Sequence, residues 1–170
     1  AASEYNRNKT TSHPEGRMAT QEEAWELAGS LFAEQKYAVL STQAETGPYS
    51  SLVAFWCAGD QRRIVFPTMR ATRKFTYLVS HPRVSLLVDE RTDLHLAIDE
   101  ITAVTATGVA REITDPVARS QAAEAFLAKH GGLADFVASP DCALVRVDVE
   151  ALFVVTRFRE LVELRLPQGR

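Results

Sequence analysis

Cysteine is scarce in this 170-residue sequence: Cys57 and Cys142 stand far apart, with no metal-ligand spacing around either. That excludes a disulfide-stapled scaffold and a cysteine-based zinc site, and it predicts two reduced, buried thiols in a cytoplasmic protein. Long apolar runs are also missing. None approaches the ~20 residues that a bilayer crossing requires, so no membrane association is expected. The first residues are polar and carry no apolar core segment, so no secretory signal is expected. Nor is there a charge excess, since 19 Lys and Arg are scattered among 22 Asp and Glu for a formal net charge of −3. Without a basic stripe, nucleic acid is not an expected partner. His13, His81, His95 and His130 show no ligand spacing, and no metal site is expected.

What is present is the composition of a globular protein, 46 % hydrophobic and 24 % charged, with no internal repeat and no low-complexity tract. The length suits one domain. Residues 1–19 are rich in Asn, Thr, Ser, Glu and Arg without any period and read as a mobile leader, leaving residues 20–170 as the domain. Thr20 and Glu23 form a capping box, and Ala24, Leu27, Ala28, Leu31 and Phe32 lie on one helical face, so a helix is predicted to run to Gln35.

From Tyr37 the period changes to two. Strands are predicted at Tyr37–Thr42, Tyr49–Ala58 and Arg63–Pro67, with a turn over Gln43–Pro48 and a hairpin loop at Gly59-Asp60-Gln61. A short helix follows from about Thr72 to Ser80, stopped by His81-Pro82. Val84–Val88 reads as a central strand covered on both faces. Glu90–Glu100 reads as a polar connection, and Ile101–Glu112 as a long strand with a bulge or close contact at Gly108. Asp115-Pro116 starts a helix that ends at His130, with a short helical turn from Leu133 to Val137. Two strand segments are predicted between Cys142 and Arg157, and an edge strand through Val162, Leu164 and Leu166. About seven antiparallel strands with three helices between them make an α+β fold, and a sheet of that size avoids open edges by closing into a barrel.

The chemistry points to the stretch from Phe66 to Phe75. A strand ends, a tight turn follows, and Thr72, Arg73 and Lys74 open a helix. Cations there oppose the helix macrodipole, so their placement makes sense if an anion is bound among them. The bland alternative is a solvated pair of charges. Other candidates read as structural. His81 stops a helix, Trp56 belongs to core or interface, and Asp89, Glu90, Asp93, Asp99 and Glu100 lie on a solvated loop. Ser50 and Ser51 lack the glycine pattern of a nucleophile elbow, and Cys57 has no basic partner nearby in sequence.

Four pieces in order carry a resemblance: Gly47-Pro48-Tyr49-Ser50-Ser51-Leu52-Val53, Ile64-Val65-Phe66, Thr72-Arg73-Lys74, and His81-Pro82-Arg83-Val84-Ser85-Leu86-Leu87. Over about Tyr37–Glu112 the chain resembles the FMN-binding split-barrel family typified by pyridoxamine 5′-phosphate oxidase. The resemblance implies an antiparallel split β-barrel with FMN as cofactor. It places the flavin phosphate on Arg73 and Lys74, with the Thr72 hydroxyl beside them. Pro67 and Thr68 would lie along the phosphate and ribityl chain, and Ser51, Leu52, Val53 and Ala54 along the ring edge. It also implies a homodimer with flavin at the interface and an oxidoreductase acting on a small-molecule substrate. Two departures argue against pyridoxamine phosphate as that substrate. Ser51 stands where the oxidases carry an arginine, and their C-terminal tryptophan and basic cluster have no counterpart among Leu144–Leu166. Two further readings share the fold. One is an F420-dependent reductase, for which Arg70 is the nearest additional cation. The other is a non-catalytic flavin or haem module, for which His95 or His130 would have to reach the pocket.

Overall fold

The structure is a computed structural model that describes residues 20–90, 101–156 and 160–167. The expected leader, His13, His95, Asp93, Asp99, Glu100 and most of the Glu90–Glu100 connection lie outside the described residues. Helix α1 (Gln21–Glu34) begins at Thr20, whose side chain accepts from the Glu23 amide while the Glu23 carboxylate accepts from the Thr20 amide. Its buried residues are Ala24, Ala28, Leu31 and Phe32, the apolar face seen in the sequence apart from the half-buried Leu27.

The strands are β1 (Tyr37–Ala44), β2 (Gly47–Ala54), β3 (Trp56–Cys57), β4 (Arg63–Met69), β5 (Arg83–Asp89), β6 (Ala103–Glu112), β7 (Cys142–Thr156) and β8 (Glu160–Arg165). Helices α2 (Arg73–Ser80), α3 (Pro116–Lys129) and α4 (Ala134–Ala138) interrupt them, with a 3-10 turn at Gly131–Leu133. All pairings are antiparallel in the order β2-β1-β5-β6-β7-β4-β3, and β8 adds to β7. The two ends of this order, β2 and β3, are consecutive in the chain and separated by Phe55 alone. The sheet must therefore curl until its ends meet, which makes the α+β split barrel. Among the described residues no helix is long and apolar enough to cross a membrane.

Inward-facing residues of every strand and the apolar face of α1 form one core, with Leu40, Phe55, Ile64, Phe66, Leu86, Val104 and Leu152 fully buried. A second cluster lies outside the barrel, where α3 and α4 cover Val65 and Leu144 through Phe126 and Val137. Gly108 sits at a register shift between β6 and β7, and a Cβ there would stand 2.2 Å from the Asp148 carbonyl oxygen. Asp115 caps α3 by accepting from the Ala118 amide, with Pro116 at the first helical position.

Several boundaries differ from the sequence reading. The β1–β2 turn is only Glu45-Thr46, because Gly47 adopts φ 126° and lets the second strand start at once. The predicted Tyr49–Ala58 strand is two strands, since its pairing partner changes from β1 to β4 at Phe55. The two C-terminal segments are one 15-residue strand, β7, which pairs with β4 over its first half and β8 over its second, with β6 alongside. β5 is central but buries only alternate residues: Val84, Leu86 and Val88 face the core while Ser85 and Leu87 are half-buried. The described residues hold eight strands and four α-helices, one of each more than expected.

Candidate functional site

The site begins with a ladder that stops. β3 and β4 pair at Trp56–Val65 and Cys57–Ile64. Continued by two residues, that register would oppose Ala54 to Pro67 as a bonded pair, because Ala58 N–H already bonds to Arg63 O and the bonded positions alternate. Proline has no N–H to give, so the ladder cannot continue and the strands part there. Above that point β2 pairs only with β1, and β4 only with β7.

The same alternation fixes what faces the split. Phe55 N–H bonds to Lys36 O at 3.3 Å, so the peptide groups of Val53 and Ser51 turn towards β1 and those of Leu52 and Ala54 towards the free edge. Pro48 follows this pattern, sitting where no N–H is required. Across the split stands the carbonyl of Pro67, since Arg70 N–H bonds to Asp141 O and places Thr68 and Phe66 on the β7 side. The split thus offers donors and acceptors at Leu52 and Ala54 and an acceptor at Pro67. Such an edge suits a flat ligand that hydrogen-bonds along its rim.

Side chains add a second wall. Val53 is buried in the core and Leu52 is 65 % exposed. The Ser51 hydroxyl is buried and has no hydrogen-bond partner. A buried hydroxyl left unmet costs about 1–3 kcal/mol, which a ligand or water reaching it would recover. Thr68 is buried, and its hydroxyl lies 3.0 Å from that of Thr72. The Thr72 hydroxyl donates to Met69 O at 2.7 Å, so its single proton is used and Thr68 must be the donor between the two.

Because Thr72 turns its hydroxyl backward, no side chain caps α2. The Arg73 and Lys74 amides are in the first helical turn, where amides have no intrahelical acceptor. Both side chains start from the same turn, Arg73 exposed and Lys74 half-buried. Six other arginines find carboxylates: Arg63 pairs with Asp60, Arg70 with Glu112, Arg83 with Glu150, Arg111 and Arg146 with Asp148, and Arg165 with Glu163, while Arg62 and Arg119 donate to backbone carbonyls. Among the described residues Arg73 and Lys74 have no such partner. Two unpaired cations and two free amides therefore meet at a positive helix end beside the split, an arrangement that favours an anion.

Of the nine sequence-derived residues, the structure places the Leu52 and Ala54 peptide groups on one edge of the split and Pro67 on the other, and the 3.0 Å hydroxyl contact between Thr68 and Thr72 ties the start of α2, with Arg73 and Lys74, to the β4 side. Val53 turns its side chain into the core, and the Ser51 and Val53 peptide groups face β1. Sequence reasoning missed that Pro67 ends the ladder, although a proline inside a strand pattern is itself the signal. Other candidates fall away. Arg70 is held by Glu112 and by Pro140 O. His130 is buried, with Nε2 donating to Phe55 O at 2.8 Å and its ring stacked on Phe126. His81 ends α2, at the opposite end from Arg73. Trp56 packs into the outer cluster under α3. Burial pushes the Cys57 thiol up to about 12 and raises that of Cys142, which leaves neither a nucleophile. Among the described residues no group of three His, Cys, Asp or Glu could hold a metal ion.

A family model described as pyridoxamine 5′-phosphate oxidase matches residues 25–156. No curated protein matches the chain by sequence. Among solved structures, a heme-binding protein from Mycobacterium smegmatis superposes with a TM-score of 0.75 at 18 % identity, over 86 % of this chain and 60 % of its own. General Stress Protein 26 from Bacillus anthracis gives 0.64 at 18 % identity, over 84 % of this chain and 98 % of its own. An FAD-binding protein from Mesorhizobium loti gives 0.59 at 19 % identity, over 80 % of this chain and 94 % of its own. At these identities the likeness is one of fold, and the cofactors differ between neighbours.

Proposed function

The chain belongs to the pyridoxamine 5′-phosphate oxidase family, and from that premise we propose that it is an FMN-binding flavoprotein, an oxidoreductase acting on a small molecule other than pyridoxamine phosphate. The observation that carries this reading is that Arg73 and Lys74, neither paired with a carboxylate among the described residues, open α2 on a first turn that no side chain caps, directly after Thr72, whose hydroxyl lies 3.0 Å from that of Thr68. A phosphate there would take the two side chains and two amides. Pro67 and Thr68 would flank the chain leading from it. The Leu52 and Ala54 peptide groups would meet the polar rim of the ring, and Ser51 would find the partner it lacks. Flavin supplies hydride and electron transfer when bound, and the residues named here bind and orient it. None of them is assigned a catalytic step.

The second subunit belongs to the same reading. Beside the split, Lys36, Tyr37, Val39, Leu52, Leu87 and Asp89 line a cleft of 390 Å³ on the outer sheet face, and Tyr37 and Leu52 are both more than half exposed. A homodimer with flavin at the interface would cover this apolar strip. The free thiols suit a reducing, cytoplasmic setting.

F420 is the weaker fit because its acidic tail needs additional cations and Arg70 is already engaged. The M. smegmatis neighbour is a heme-binding protein, yet of the described histidines here His130 has committed Nε2 and His81 lies at the wrong end of α2. One absorption spectrum of the freshly purified protein tests the reading. A two-band flavin spectrum, with free FMN released on denaturation, is the expected result. A Soret band, or a deazaflavin band, would overturn it.

A further inference from the structure

The hinge of the split is Phe55, the single residue between the strand half that pairs with β1 and the half that pairs with β4. Three elements converge on it. Its ring is fully buried and packs edge-on against Phe32 of α1, centroids 6.1 Å apart. Its carbonyl accepts from His130 Nε2 at 2.8 Å, which fixes that ring as the Nε2–H tautomer. Lys129 Nζ stands 4.4 Å from the ring centroid and donates to Phe32 O at 2.7 Å and Gln35 O at 2.5 Å. Those two carbonyls lie at the C-terminal end of α1, a helix with no basic residue of its own in the last turn. A lysine from the last turn of α3 therefore serves the end of α1, and the next residue along holds the strand between them.

We propose that Lys129 and His130 are positioning residues for the split: by fixing Phe55 they set where the neighbouring Leu52–Ala54 peptide edge stands opposite Pro67. This rests on the FMN reading only for the identity of the ligand. The adjacent residue Ala54 is the last of β2, and the side-chain anchors hold Phe55 alone, so any slack at Phe55 passes directly into the edge that faces the ligand. Burial lowers the Lys129 amine to about 8, which still leaves it mostly protonated at neutral pH and able to donate to the two carbonyls. Neither residue touches the phosphate end of the site, so the clamp governs the ring half of the ligand and leaves the anion grip alone.

Lys129→Met keeps the stem and removes the ammonium, and Lys129→Arg restores a cation that can reach the carbonyls. Two measurements on each variant test the proposal. In flavin titrations of folded protein, Lys129→Met should weaken FMN and riboflavin equally, by about tenfold for the loss of one well-placed cation contact, and Lys129→Arg should recover most of it. In hydrogen exchange on flavin-free protein, peptides covering 52–57 should exchange faster in Lys129→Met while the β6–β7 centre is unchanged. Should that variant fail to fold, His130→Phe, which keeps a ring on Phe126 and loses the bond to Phe55, is read in the same two ways. Affinities within twofold of wild type for both flavins would overturn the proposal and leave a purely stabilising pin. Unaltered exchange at 52–57 would overturn it as well. A wild-type protein that binds neither flavin would refute the FMN reading instead, and exchange alone would then decide the clamp.

Discussion

Replacing both Arg73 and Lys74 by Ala isolates the anion grip from everything else the split offers. Each side chain is unpaired among the described residues, so its removal breaks no internal ion pair. What it removes is a charge-assisted contact to phosphate, worth about 1.5–3 kcal/mol for each cation. Arg73 is exposed and screened by water, which puts it at the low end of that range, and the half-buried Lys74 lies higher. A combined loss of about 3.5–4 kcal/mol is therefore expected, or several hundredfold in FMN affinity, since each 1.4 kcal/mol is tenfold. The two backbone amides survive the substitution, so FMN should still bind somewhat more tightly than riboflavin. Riboflavin, which has the ring and no phosphate, should bind the variant as it binds the wild type. Fold stability should hold or rise slightly, because cations at a helix N-terminus oppose its macrodipole by roughly 0.3–1 kcal/mol each. Fluorescence-quench titration of both ligands against both proteins, at two salt concentrations, gives the answer. Equal loss for FMN and riboflavin would show that the pair shapes the pocket and grips no phosphate. An FMN affinity unchanged within threefold would show that the charges are merely solvated.

Three further outcomes are expected. Gly108→Ala should destabilise the fold by about 3 kcal/mol or more in denaturant titration, because the new Cβ meets a backbone carbonyl at 2.2 Å and no flexible side chain can give way; a loss under 0.5 kcal/mol would mean that the β6–β7 register relaxes freely. Light scattering should give about twice the 18.8 kDa chain mass, and a monomer that still binds FMN would refute the interface assignment. Alkylation of Cys57 in the folded protein should stay slow and show no plateau up to pH 10, since burial holds its thiol near 12 and the thiolate is the reacting form; a plateau near pH 9, read by mass spectrometry of the Cys57 peptide, would contradict that burial.

The sequence is most legible where a few adjacent residues decide the structure. Thr20 with Glu23, Asp115 with Pro116, and the Gly108 bulge all appear as read, because a cap or a bulge needs only local chemistry. Boundaries set by a partner were not legible. Nothing in Val53-Ala54-Phe55-Trp56 marks a break, since Val, Phe and Trp favour strands and no glycine or proline interrupts them. The chain parts there because β1 and β4 compete for the same strand and Pro67 refuses the continuation. β7 reads as two segments in sequence, yet it is the seam shared by both halves of the barrel, so pairing on both sides holds it continuous.

The site divides in the same way, and the reason is physical. Arg73 and Lys74 stood out because they are locally unfavourable, two cations where the helix end is already positive, and a local conflict of that kind signals a ligand. Ser51 carries no such mark, since a serine in a strand is unremarkable until its hydroxyl is found buried without a partner. The Leu52 and Ala54 peptide groups are invisible in sequence for another reason. Which way a peptide faces depends on one bond, Phe55 N–H to Lys36 O, and shifting the register by one residue would turn both groups into the sheet. Lys129 and His130 are more remote still, 74 and 75 residues from the phenylalanine they hold. They reach it only because the end of α3 comes to lie against Phe55 and the C-terminal carbonyls of α1. Residues that meet the ligand's charge can be found from the chain's own electrostatics, while those that set the shape of the opening emerge only once the barrel has closed.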